Sequence, residues 1–253
     1  MKGLLNGKKI NTWVFWPPFL IFVIASILSV AAFDTFTGTI NTLFQWVATN
    51  FGWFFVMTAF GAVVLSAVVF LSPAGKIKFG GEDAESEFGT WEWFAMSLTA
   101  GIGTGIVFWG VAEPVMHLAN PPAGLGIEAF SAEAANFSMR IVYLFWSFTP
   151  YALYILFALP IALAIYNYNQ PFRVSSGLYF LIGDKCKGWI GKGTDALTIF
   201  ALAGGVAAVL GAGLLQMGSG LNFLFGIPIS PTLWAIIAAV IIASYTISSY
   251  TGL

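Results

Sequence analysis

Six apolar runs, each close to the roughly 20 residues a helix needs to cross a hydrocarbon core, constrain this chain most. They occupy residues 13–33, 51–71, 94–116, 142–166, 197–225 and 233–250. Little polar surface is left over. Only 8% of residues are charged, against roughly 25% in an ordinary soluble domain. The expected fold class is therefore all-α, a polytopic membrane protein whose solvent is the lipid bilayer. A net charge of −1 and the lack of any basic stripe exclude a nucleic-acid partner.

Loop charge predicts an orientation. With the N-terminus in the cytoplasm and six alternating spans, the inside segments hold Lys2, Lys8, Lys9, Lys76, Lys78, Arg173, Lys185, Lys187 and Lys192, and the outside segments hold Arg140 alone. Nine of the ten basic residues thus fall inside, as the positive-inside rule requires. The first run carries a basic flank and a Ser29-Val30-Ala31 triplet that resembles a signal-peptidase site. Its 21 apolar residues and its Pro17-Pro18 pair argue for a retained helix. Residues 172–182, shorter and amphipathic, predict an interfacial helix between the fourth and fifth spans.

The residues that bear on function lie inside the spans. Gly101, Gly103 and Gly105 alternate in the third span, with Ile106 where a dinucleotide-binding GxGxxG would need its last glycine. Two readings fit them. Gly101 and Gly105 form a small-xxx-small face for close helix packing. Alternatively, three glycines weaken the helix by roughly 1 kcal/mol each relative to alanine. An unwound mid-membrane segment exposes its backbone to a ligand, which is tolerated only where it lines a cavity. Glu113, before Pro114 and four residues ahead of His117, reads either as a functional intramembrane acid or as a capped, hydrated helix end, and its place near the outer boundary favours the second.

In the fourth span, Trp146, Tyr151 and Tyr154 surround Pro150. At about 100° per residue the three rings share a sector of roughly 140°, and Pro150 should bend the helix between them. Such rings form either ordinary aromatic packing or a cage for a quaternary ammonium group, each cation–π contact contributing about 0.5–2 kcal/mol. Elsewhere Cys186, the single cysteine, excludes an internal disulfide and reads as a solvent-facing bystander between Lys185 and Lys187. With one histidine, no His-based metal site is expected. The glycines around Gln216 in the fifth span indicate tight helix contacts. No nucleophile–base pair within the spans points to an enzyme.

The ordered motifs resemble the betaine/choline/carnitine transporter family nearly end to end. They are Phe79-Gly80-Gly81-Glu82-Asp83, Trp93-Phe94-Ala95-Met96, Phe108-Trp109-Gly110-Val111-Ala112-Glu113-Pro114, the 146–154 segment, Leu215-Gln216-Met217-Gly218-Ser219-Gly220-Leu221, and Ser248 to Leu253. The resemblance implies a leucine-transporter-like inverted-repeat fold, assembled as a homotrimer in the cell membrane. It implies symport or exchange of small onium compounds such as glycine betaine, choline or carnitine, with no cofactor. On that footing the glycines of the third span are unwound beside the substrate. The aromatic box maps onto Trp146, Tyr151 and Tyr154, with Phe108 close by.

Departures from the family pattern qualify these expectations. Phe145 and Thr149 stand where members carry histidines, and Tyr151 where they carry a second tryptophan. Leu202 and Val206 replace the threonines of one sodium site. A second site would use backbone carbonyls of Thr99 and Ile102, leaving Na+, H+ or exchange open as the coupling. Residues 1–74 would be the tail and two peripheral helices, and 75–253 part of the first inverted repeat. Members run to about twice this length, so a 253-residue piece is expected not to transport alone. The alternative is a complete six-span channel or scaffold, which lacks a pore-loop sequence to support it.

Overall fold

The computed structural model describes residues 11–86, 88–101 and 103–251, and every regular element among them is helical. Lys2, Lys8, Lys9 and Ile102 lie outside the described residues. Five helical stretches are long and apolar enough to cross a membrane: Thr12–Ala31, Phe33–Leu71, Ala132–Tyr166, Trp189–Phe225 and Pro231–Tyr250. The expected third span is the exception. It consists of two shorter helices, as described below. The chain is thus a multi-pass all-α membrane protein.

The described residues form two compact units, one of 11–86 with 143–201 and the other of 88–142 with 202–251. The first unit begins with helix α1 (Thr12–Ala31), capped by Asn11, whose side chain accepts the Trp13 N–H at 3.2 Å. Ala32 alone separates it from α2 (Phe33–Leu71), a helix of 39 residues. At 1.5 Å per residue that is about 58 Å, nearly twice the hydrocarbon thickness. The apolar half matches the expected span at 51–71. The preceding stretch, expected as a connection, is helical as well, and its polar side chains are satisfied by bonding back one turn: Thr39 to Thr35, Thr42 to Gly38 and Asn50 to Trp46. Pro73 ends the helix, and Ser72 caps the short 3-10 turn that follows by accepting the Ala74 N–H.

Still in this unit, α6 (Phe148–Tyr166) ends at Asn167. Residues 172–182 do not form one regular interfacial helix. They comprise a 3-10 turn, Val174–Leu178, and the four-residue α7 (Tyr179–Ile182), followed by a second 3-10 turn, Gly183–Lys187. These turns fold against the start of α8 (Trp189–Phe225), where Asp195 accepts from both the backbone N–H and the hydroxyl of Ser175, at 2.9 and 3.1 Å. The same fold-back buries Cys186 to 4% exposure, so it is not the solvent-facing thiol expected. Lys187 donates to Asp184 at 2.6 Å, and that bond raises its ammonium above the ordinary lysine pKa. Phe22 of α1 stacks on Phe200 of α8 at 5.2 Å.

The Asn167 and Asp195 contacts bring the loop after α2 and the turns after α6 to one end of this unit. Lys76, Lys78, Arg173, Lys185, Lys187 and Lys192 consequently gather there. In the second unit, α8 terminates at Gly226 in the left-handed region (φ 67°), whose N–H returns to the Asn222 carbonyl. After four residues Ser230 starts α9 (Pro231–Thr251), its hydroxyl accepting the Leu233 N–H and Pro231 filling the first helical position.

Among the described residues no large side chain is fully buried; the fully enclosed positions belong to small residues such as Ala134 and Ala164. In water this would leave an aggregating surface. In lipid it needs no covering, since tails solvate apolar side chains as well as a protein core does.

Candidate functional site

Both segments singled out in the sequence are breaks between helices. α3 (Thr90–Gly101) stops at the first of the three glycines, and α4 (Thr104–Ala119) restarts after Gly103. Gly103 is extended (φ −112°, ψ −176°), and its carbonyl accepts the first helical bonds of α4 from Ile106 and Val107, at 3.1 and 3.3 Å. Among the described residues, a Cβ built on Gly103 or Gly105 meets nothing within 4 Å. Gly103 lies in the break itself, where glycine weakens a helix, and Gly105 lies in the first turn of α4.

A break of this kind faces two unlike ends at one point. The last carbonyls of α3 carry partial negative charge, and the first N–H groups of α4 carry partial positive charge. Thr99 sits in the final turn of α3. Its hydroxyl donates to the carbonyls of Ala95 and Met96, at 2.8 and 3.1 Å, one turn back in the same helix. Phe108, half-buried one turn into α4, stands edge-on to Trp109 with ring centroids 5.1 Å apart.

The fourth span breaks at Ser147, between α5 (Ala132–Trp146) and α6. Ser147 has non-helical angles (φ −96°, ψ −115°), and the Thr149 hydroxyl reaches back five residues to the Leu144 carbonyl at 2.9 Å. The cause is Pro150, which has no N–H for the helical ladder and whose ring crowds the turn before it. The sector read from the sequence assumed one continuous helix. Trp146 ends α5, however, while Tyr151 and Tyr154 are neighbours on α6. Tyr151 is 49% and Tyr154 72% exposed, so neither ring is enclosed by the described residues. Trp146 is half-buried.

Other candidates have simple settings. Glu113 and His117 lie 3.6 Å apart on α4 with side chains 14% and 27% exposed, less hydrated than the helix end expected. Beside them the buried Ser138 of α5 donates to the Pro114 carbonyl at 2.6 Å, tying the two helices together at the proline. Leu202 and Val206 are exposed aliphatic side chains on α8. Among the described residues no cluster of three metal-ligating side chains occurs. Asn167 and Asp195 hold structural contacts that no motif in the sequence marks. Asp195 had one available signal, a carboxylate set at the edge of a long apolar run.

Comparison with known proteins fits this architecture of broken apolar helices. Residues 13–253 match the model of the betaine/carnitine/choline family of transporters. The chain belongs to that family. It is 36% identical over 220 residues to a Desulfitobacterium hafniense (strain Y51) protein named "Probable glycine betaine transporter", covering 87% of this chain and 44% of that one. To the glycine betaine transporter OpuD of Bacillus subtilis (strain 168) it is 34% identical over 95% of this chain and 46% of the relative. The high-affinity choline transport protein of Escherichia coli (strain K12) is 32% identical, over 96% and 36% respectively. The chain thus spans less than half the length of these curated relatives.

Proposed function

We propose that this chain is part of a secondary transporter that carries betaine-like onium compounds, such as glycine betaine, choline or carnitine, across the cell membrane. The observation that carries the reading is the pair of helix breaks, one at Gly101–Gly103 and one at Trp146–Ser147, each beside the residues that suit one part of such a solute. A carboxylate suits the N–H groups at the start of α4. A trimethylammonium group, which can donate no hydrogen bond, suits the faces of Trp146, Tyr151 and Tyr154. Discontinuous helices are the usual means by which transporters present backbone to a substrate at the middle of the bilayer.

The family supports the rest of the proposal. The fold is a leucine-transporter-like inverted repeat, with 1–74 peripheral and 75–253 part of the first repeat, assembled as a homotrimer. The gathering of six basic residues at one end of the first unit favours a cytoplasmic N-terminus, because that end would face inward. For coupling, Thr99 and Ile102 offer backbone carbonyls, whereas Leu202 and Val206 offer no oxygen from their side chains.

The test is equilibrium titration of the complete gene product with glycine betaine, choline, carnitine and ectoine, followed by uptake into proteoliposomes. Ectoine is included because a relative from Virgibacillus pantothenticus, 33% identical, is named for ectoine/hydroxyectoine transport. Saturable binding of at least one onium compound is expected. Uptake should be first order in sodium, or independent of it, rather than second order. Failure to bind any member of the panel would refute the proposal, and second-order sodium dependence would refute the reading of Leu202 and Val206.

A further inference from the structure

Asn167 holds a loop that the candidate site does not contain but that leads directly into it. The residue ends α6, its own N–H bonded to the Leu163 carbonyl at 3.0 Å. Its side-chain amide then does two things at once. Nδ2 donates to the Lys78 carbonyl at 3.0 Å, and Oδ1 accepts the Gly80 N–H at 3.1 Å. An amide is the side chain with a donor and an acceptor spaced to pair with a main-chain carbonyl and N–H two residues apart.

The loop is shaped for this grip. Gly80 and Gly81 both take left-handed backbone angles, φ 86° and 98°, which glycine adopts without strain. The Gly81 N–H returns to the same Lys78 carbonyl at 3.3 Å, and Lys78 Nζ donates to the Glu82 carbonyl at 3.2 Å. Phe79 rests near Tyr166, the last residue of α6, with ring centroids 6.5 Å apart. Along the chain the loop continues into α3, which ends at the glycine break. At its other end, about 28 Å away for a helix of 19 residues, α6 begins next to Trp146 and carries Tyr151 and Tyr154.

We propose that Asn167 is a positioning residue of the transport cycle, clamping the Lys78–Gly80 turn so that movement of the aromatic helix α6 is passed along the chain into α3. This rests on the transport reading above. It has a readout that does not depend on that reading, because the clamped Lys78 carbonyl belongs to the peptide bond that trypsin cuts.

The experiment compares wild type, Asn167→Leu and Asn167→Asp in the complete gene product. It measures tryptic cleavage after Lys78 in detergent, substrate Kd and uptake turnover. Leucine keeps the volume and removes both bonds. It should raise cleavage at Lys78 by about tenfold, since cutting of a locally opened site tracks its opening equilibrium. Turnover should fall by about tenfold while Kd stays within about threefold, as for a loop that governs a conformational step. Aspartate keeps the acceptor for Gly80 and should fall between. Three results would overturn the proposal: unchanged cleavage at Lys78, faster cleavage with wild-type turnover, or joint loss of binding and turnover, which marks a merely structural role. A wild-type protein that binds no onium compound removes the transport reading and the positioning role with it, while protection of Lys78 would still show the clamp.

Discussion

Alanine at Gly191 is expected to destabilise the protein by about 1–3 kcal/mol or more, a drop of several degrees in the thermal midpoint in detergent. A Cβ built there overlaps the Cys186 carbonyl oxygen and comes within 3.3 Å of the Ser175 Cβ. The obstacle is backbone at the end of a 3-10 turn, so no side-chain rotation relieves it. Relief would require moving the turn, which would expose Cys186 and strain the bonds from Ser175 to Asp195. Gly193, two residues on in the same helix, is the control. A Cβ there meets nothing within 4 Å. Alanine at Gly193 should stabilise the helix by up to about 1 kcal/mol, the ordinary gain over glycine. Equal effects of the two substitutions would show that the fold-back onto α8 is not as described.

Replacing Trp146 by leucine should raise the Kd for glycine betaine by roughly 2- to 30-fold, the equivalent of losing one cation–π contact of about 0.5–2 kcal/mol. Phenylalanine keeps a π face and should recover much of the affinity. Equilibrium binding with radiolabelled substrate is the suitable measurement, because removing a tryptophan alters intrinsic fluorescence. Leucine binding as tightly as tryptophan would mean that Trp146 ends α5 for packing alone. Uncharged analogues of similar size give a second comparison. Their binding should change less than that of the cation, because only the cation gains from the ring quadrupole.

Much of the architecture was legible because lipid makes a one-dimensional demand. A run of apolar residues long enough to cross needs no partner to be recognised, and the expected spans all correspond to apolar helical segments. The break at Gly101–Gly103 was legible as one of two readings, since three glycines in five residues are a local weakness. Pro150 announced a distortion, but the break lies at Ser147, because a proline acts on the turn before it. Other features were misleading. The stretch between the first two expected spans, residues 34–50, is helical instead of a loop, and Thr39, Thr42 and Asn50 are satisfied within that helix. Cys186, between two lysines, suggested exposure, and the short turns that cover it had no periodicity to reveal them. Asn167 looked like any polar residue after an apolar span. Its two bonding partners are almost ninety residues earlier in the chain.

The multi-pass character comes from the sequence alone, as do the approximate spans; for the two breaks the sequence offered a glycine stretch open to two readings and a proline that should bend its helix. Each depends on composition or on residues within a turn of one another. Family membership was likewise legible, because ordered motifs survive without any knowledge of their contacts. The tertiary structure alone decided which glycines matter for packing. In α8, Gly218 faces the Trp234 indole at 2.7 Å from where its Cβ would stand, while Gly205, Gly211 and Gly220 have no neighbour within 4 Å of that position among the described residues. A glycine records only that a side chain is missing. What fills or leaves open that space is supplied by residues distant in sequence, and only the folded chain brings them there.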